Sequence, residues 1–261
     1  MDTIVVIPAR YGSSRFPGKP LAQIAGRSLL ERVWRISKAV PGVDGVVVAT
    51  DDQRVVEHVA SFGGSSVMTS ESCRNGSERV WEAVNKLAQR PKNIINLQGD
   101  AVLMPPWVIG SLVGEMNRDS GVKIATPATR LSTEQYEAMA RMKGSGVVSG
   151  TTVTFAANRD ALYFSKAIIP FLRSWAEASM SPVYQHIGVY AYRYESLRQY
   201  IELPQGQLEQ VEQLEQLRAL EHGVPIRVVE VLLNGRTMWS VDNPEDVKRV
   251  EEIIALEGEL V

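Results

Sequence analysis

The chain is poor in cysteine: Cys73 is the only one in 261 residues. A single thiol excludes an internal disulfide and a cysteine-cluster metal site, and it suits a reducing compartment. No apolar run is long enough to span a bilayer, and the N-terminus lacks the basic region and cleavage site of a secretory signal. A cytoplasmic protein without a membrane partner is therefore expected. An excess of charge is missing too. The 28 Lys and Arg against 30 Asp and Glu leave a formal net charge of -2. A general nucleic-acid surface is not expected, so any phosphate site must be local. The two common nucleotide fingerprints are also absent. No GxGxxG follows the first strand, and Gly12 to Gly18 is one residue too long for GxxxxGK[ST], with Pro20 after Lys19. Internal repeats and low-complexity stretches are lacking as well.

What is present is an ordinary globular composition, 44% hydrophobic and 22% charged, in a chain long enough for one large domain or one with an insertion. Ile4–Ile7 is a short β-branched run, as in a buried parallel strand, and Pro8 ends it. Arg27–Ala39 reads as a helix with Leu29, Leu30, Val33 and Ile36 on one face. Strands over 43–50, 65–69 and 93–97 then alternate with helices over 54–62 and 76–89. That alternation predicts a mostly parallel, doubly wound α/β sheet. After Trp107 the pattern changes. A helix over 107–117, a strand over 122–130 and a short helix over 132–142 precede a flexible turn at 144–150. Strands over 151–157, 161–164 and 186–193 follow, and no helix separates the first two. This predicts an antiparallel lid or dimerisation insertion at about residues 131–205 within a single domain. A helix over 208–222 with Leu208, Val211, Leu214, Leu217 and Leu220 inward, a strand over 226–232, and a helix capped by Asn243 with Pro244 at its first position complete the chain.

Chemistry concentrates after the first strand. Ala9 to Lys19 gathers Arg10, Arg15 and Lys19 with Gly12, Ser13, Ser14 and Gly18. Small residues let backbone N–H groups approach a ligand, and three cations match a polyanion. The carboxyl end of a first α/β strand is where a nucleotide triphosphate binds. Gln98-Gly99-Asp100 follows another apolar strand and faces the same crevice. Asp242 also follows an apolar segment and precedes a helix. Alone, Asp100 reads equally as a turn aspartate and Asp242 as a helix cap. Together, beside a triphosphate loop, two carboxylates suit magnesium-assisted nucleotidyl transfer.

The stretches IPARYGSSRFPGKPL, VVVATDD, NGSER, NLQGD, ALYFSK, HIGVYAYR, LEQVEQLEQLR and SVDNPED, in that order, resemble the 3-deoxy-manno-octulosonate cytidylyltransferase (CMP-KDO synthetase) family over nearly the whole chain. The resemblance implies a nucleotide-diphospho-sugar-transferase-like fold, a homodimer, Mg²⁺, and transfer of CMP from CTP to a small acid with release of pyrophosphate. It implies that Pro8, Ala9, Arg10, Ser14, Arg15, Lys19, Arg79 and Gln98 contact CTP. Lys19, Asp100 and Asp242 are implied as catalytic, the two aspartates as metal ligands. Lys166, His186, Tyr190, Glu215, Gln216 and Arg74 are implied on the acceptor side. Each also has a plain reading: a structural histidine, a core tyrosine, a solvated helix face, a surface cation.

The chain departs from the family's usual motifs in places. QGDEP becomes Gln98-Gly99-Asp100-Ala101-Val102, and HQSGT becomes Cys73-Arg74-Asn75-Gly76-Ser77. YFSR ends in Lys166, which lacks arginine's planar two-pronged grip. PSPLE becomes Gln205-Gly206-Gln207-Leu208-Glu209. These changes predict intact nucleotide chemistry. They leave the acceptor open between octulosonate and another acid, such as a modified octulosonate, another 2-keto sugar acid or a small phosphonate. A catalytically silent CTP-binding homologue is the remaining alternative.

Overall fold

The computed structural model describes residues 2–12, 15–173, 175 and 180–261. At its centre is β1 (Thr3–Ala9), in which almost every side chain is buried. Its residues alternate between two cores. Val5, Ile7 and Ala9 pack into one, Ile4 and Val6 into the other. A strand apolar on both faces needs helices on both faces, which is the doubly wound arrangement the sequence predicts. Helices α1 (Leu29–Lys38), α2 (Gln53–Ser61), α4 (Pro106–Arg118) and α9 (Pro244–Glu257) cover the first face. Helices α3 (Gly76–Asn85), α6 (Tyr194–Glu202) and α8 (Leu217–Glu221) cover the second.

Ten strands form the main sheet, in the order β5-β4-β1-β6-β11-β7-β10-β8-β9, with β12 pairing β7. β4 (Gly45–Thr50), β5 (Ser65–Met68) and β6 (Asn93–Leu97) run parallel to β1, and β12 (Ile226–Glu230) runs parallel to β7 (Ile124–Ser132). β11 (Val189–Arg193) lies antiparallel between β6 and β7. The carboxyl ends of β1, β4 and β6 therefore open on one edge. Of the segment 131–205, β8 (Thr152–Phe155), β9 (Ala161–Ser165) and β10 (Met180–His186) form an antiparallel extension, beside a small core of Leu131, Met139 and Val183. β11 and α6, from the same segment, belong to the central sheet and its second core.

Three local expectations are corrected. The helix expected from Arg27 starts at Leu29, because Gln23–Ile24 (β2) and Arg27–Ser28 (β3) form a small hairpin and the Ser28 side chain caps α1 by accepting the Glu31 N–H. The helix expected over 208–222 is two: α7 (Gln207–Glu212) ends where Gln213 turns left-handed at φ 52°, and α8 begins at Leu217. Leu214 and Leu217 are inward as expected, but Leu208 and Val211 are 40% and 76% exposed, because α7 lies off the core that receives α8. The strand expected over 186–193 is broken at Ile187–Gly188, and its first half reaches back to Met180. No sequence pattern announces α6, because its buried face is only Ser196, Leu197 and Tyr200, too sparse for a clear 3.6-residue period.

Candidate active site

The segment after β1 turns back on itself, and the Gly18 N–H donates to the Tyr11 carbonyl at 3.0 Å. Gly18 adopts φ 73°, and a Cβ there would sit 3.3 Å from the Tyr11 hydroxyl. Only glycine takes that backbone without strain. The Arg54 guanidinium lies 3.5 Å from the Tyr11 ring centroid and is itself paired with Asp52 at 2.6 Å, so the base of the loop is clamped from α2. Arg10, Arg15 and Lys19 then line one side of an open cleft of about 510 Å³, which Pro8, Ala9 and Gln98 also line. Ser14 lies outside the described residues.

The cleft's other wall is the end of β6. A Cβ on Gly99 would fall 2.8 Å from the Pro8 carbonyl, so glycine lets the ends of β6 and β1 close on each other. Asp100 follows directly. The Lys19 Nζ donates to Asp100 Oδ2 and to the Val241 carbonyl, both at 2.9 Å. The Val241 N–H reaches the Asp100 carbonyl at 3.4 Å. Asp242, one residue on, pairs with Arg15 at 3.4 Å. Two aspartates far apart in sequence thus sit on neighbouring segments, each paired with a cation of the loop. Among the described residues no three His, Cys, Asp or Glu side chains group as a metal site. Two carboxylates fit a magnesium ion whose remaining ligands are phosphate oxygens and water, the usual way this cation is held. Asp100 and Asp242 are the residues that would hold it.

A second cleft, about 670 Å³, shares Gln98 and Asp100 with the first. His186, Tyr190 and Gln216 line it. His186 Nε2 lies 2.8 Å from Thr126 Oγ1. Burial, with the Lys166 charge second, lowers the imidazole to about 3, so it is neutral near pH 7. Burial foremost, then Tyr192 and Glu215, pushes the Tyr190 hydroxyl well above its ordinary value. Gln216 is 6% exposed, and its Nε2 has no hydrogen-bond partner among the described residues. The opposite wall is the segment 233–240. Asn234 and Gly235 at φ 53° and 79° make a two-residue turn closed by Arg236 N–H to the Leu233 carbonyl at 3.0 Å. The Arg236 side chain and Thr237 tie the segment to Gly258 and Glu257 at the end of α9.

Other expected site residues are spent on structural pairs or lie elsewhere. Arg79 lines the first cleft but is 1% exposed, with its guanidinium spent on Asp51 and Thr69, each at 2.6 Å. Arg74 is exposed and pairs with Glu78, while its carbonyl accepts from Arg10 Nη2 at 3.2 Å. Glu215 takes the Tyr200 hydroxyl at 3.2 Å, and burial raises its carboxyl. Arg74 and Glu215 line a separate cleft of about 740 Å³. Lys166 is not among the described residues lining either of the first two; it donates its N–H to Glu212 at 2.8 Å, and its charge is felt by His186 and Lys143. Sequence reasoning missed the 233–240 wall, although Asn234-Gly235 is a turn signal, and it missed Lys143, which no motif marks. The Lys143 ammonium holds the cleft corner through the Gly150 carbonyl at 2.7 Å.

A basic loop beside two aspartates, at the open carboxyl edge of the parallel strands of an α/β sheet, is the arrangement of a nucleotidyltransferase. A family model described as cytidylyltransferase matches residues 4–227. The 3-deoxy-manno-octulosonate cytidylyltransferase of Maricaulis maris (strain MCS10) is 55% identical over 261 residues, covering 100% of both chains. The enzyme of that name from Anaeromyxobacter sp. (strain K) is 42% identical over 251 residues, 96% of this chain and 97% of its own. A solved structure of CMP:2-keto-3-deoxy-manno-octonic acid synthetase complexed with CTP superposes with a TM-score of 0.86 at 36% identity, over 98% of this chain and 100% of that one. The chain belongs to the 3-deoxy-manno-octulosonate cytidylyltransferase family. The family's fold, expected from the motifs, is the one observed. No helix among the described residues is long and apolar enough to cross a membrane.

Proposed function

We propose that the protein transfers CMP from CTP to 3-deoxy-manno-octulosonate, releasing pyrophosphate. One observation carries this reading: a cation-lined cleft and a largely neutral one meet at Gln98 and Asp100. CTP lies in the first, with Arg10, Arg15 and Lys19 on its phosphates. The sugar acid lies in the second, where Gln216 Nε2, the Tyr190 hydroxyl and neutral His186 face a ligand rich in hydroxyls. At the junction an acceptor hydroxyl attacks the α-phosphorus in line. The new O–P bond forms as the bond to the β-phosphate oxygen breaks, and the hydroxyl proton passes to solvent. The chain's own residues position the two substrates and neutralise charge, so no covalent intermediate is needed. Magnesium held by Asp100 and Asp242 neutralises phosphate charge when bound. A homodimer and cytoplasmic action belong to the same reading through the family resemblance.

A different sugar acid is the second reading, and Ala101 favours it, because it lines the second cleft where the family usually carries a carboxylate. Arg74 and Lys166, the other departures, lie off that cleft. The test is the purified protein with CTP and Mg²⁺, offered a panel of sugar acids while pyrophosphate release is followed. Preferred turnover of octulosonate supports the first reading. Preference for another acid supports the second, and CTP binding without turnover of any acid defeats both.

A further inference from the structure

We propose that Asp246 is a positioning residue that holds the metal carboxylate Asp242 and the Trp239 wall of the second cleft as one unit. Asp246 stands in the first turn of α9, four residues after Asp242, and is not itself among the expected site residues. A helix cap asks its carboxylate to accept one N–H, that of Asn243, and it does so at 2.8 Å. It accepts two more. The Asp242 N–H reaches the same oxygen at 2.9 Å, and the Trp239 indole Nε1–H reaches the other oxygen at 2.9 Å. One half-buried carboxylate therefore takes three donors from three different residues, using both oxygens.

Those donors belong to the two parts of the site that must agree in position. Asp242 presents its carboxylate to Arg15 beside the phosphate loop. Trp239 is 42% exposed and lines the acceptor cleft, with Arg249 of α9 5.9 Å from its ring centre. Between them only Ser240 and Val241 intervene, and Val241 is the residue that contacts both Lys19 and Asp100. The segment 239–242 thus runs from the second cleft to the Asp242–Arg15 pair at the edge of the first, and Asp246 grips both its ends. Residues that orient a metal's ligands change metal affinity or activity without touching the metal. Asn243 serves the helix without this reach, since its side chain completes the same cap from the other side.

This inference rests on the functional reading above, and its test separates the two. Three variants are compared with the unchanged protein: Asp246→Asn, Asn243→Ala and Trp239→Phe. Mn²⁺ binding is measured by electron paramagnetic resonance with CTP present and no acceptor, so no turnover contributes. Steady-state pyrophosphate release is measured separately. In Asp246→Asn the amide NH₂ faces N–H donors, and the Mn²⁺ dissociation constant and kcat should each worsen about 10- to 100-fold, with KM for CTP nearly unchanged. Asn243→Ala should lower Tm and leave both readouts in place. Trp239→Phe frees one arm only, and KM for the acceptor should rise with CTP binding intact. If Asp246→Asn folds and matches Asn243→Ala in Mn²⁺ affinity and kcat, the positioning role is overturned. If Asp246→Asn does not fold, Trp239→Phe decides: an unchanged acceptor KM overturns the coupling. Failure of the unchanged protein to release pyrophosphate would instead strike the functional reading.

Discussion

The two clefts that meet at Asp100 are built on opposite principles. The first is charged, contiguous in sequence and close to the sheet: three of its cations lie within ten residues of the end of β1. The second is largely neutral and drawn from β10, β11, the turn before α8 and the segment 233–240. A triphosphate can be held by cations and backbone donors, which a short loop supplies. A sugar acid has to be recognised by directional hydrogen bonds in a shaped pocket, and these must converge from several elements. Charge is thus cheap to encode locally, whereas shape is not.

The comparison breaks most sharply at the junction. Asp100→Ala removes an acid both clefts share and leaves Lys19 Nζ with only the Val241 carbonyl of its two partners. Turnover should fall by about 10³-fold or more, in line with losing a principal charge-stabilising group, while CTP still binds. Pyrophosphate release and calorimetric CTP titration check the two halves of that statement. Unchanged turnover would remove the basis of the proposed chemistry.

The next effect falls on stability. Arg79 is fully buried, and Arg79→Met leaves Asp51 without its ion-pair partner. Removing one partner of such a pair costs about 3–5 kcal/mol, which chemical denaturation would register as a lower midpoint. A variant that unfolds normally but loses CTP affinity would instead make Arg79 a direct contact.

Gln216→Ala sharpens the contrast within the second cleft. Loss of its unpartnered Nε2 donor should raise KM for the acceptor about fivefold to tenfold, the size of one hydrogen bond, with KM for CTP unmoved. A rise in both constants would mean that the clefts are not separable.

The smallest effect concerns pH. His186 is lowered from 6.5 to about 3 in the folded protein, so as pH falls below about 6.5 the unfolded chain takes up this proton first. This group's contribution therefore lowers stability as pH drops from about 6.5 toward 3. His186→Gln should flatten that part of the stability profile, as Tm measured across the range would show. An NMR titration placing the imidazole near 6.5 in the folded state would contradict the neutral cleft.

Legibility followed the same division. Ile4–Ile7, the cationic loop and the helix cap at Asn243 depend on residues a few positions apart, and periodicity and turn chemistry reveal them. The amphipathic pattern over 208–222 misled, since Gln213 interrupts it with a left-handed residue that only the packing of Leu214 and Leu217 explains. His186 could be named from its motif, but its neutrality required knowing what buries it. For Arg74 and Glu215 the motifs named the residues, while the structure sets them in a third cleft.

The sequence by itself determined that a basic, glycine-punctuated loop would follow a buried strand in an α/β sheet, because those features are set by short-range sterics and local charge. Tertiary structure alone decided that Asp100 and Asp242 would sit on neighbouring segments beside one loop, that Arg79 would spend its charge on Asp51, and that Gln216 would have a donor without a partner among the described residues. The physical reason is that burial and hydrogen-bond partnership depend on segments brought together from across the chain, and no local pattern carries that information.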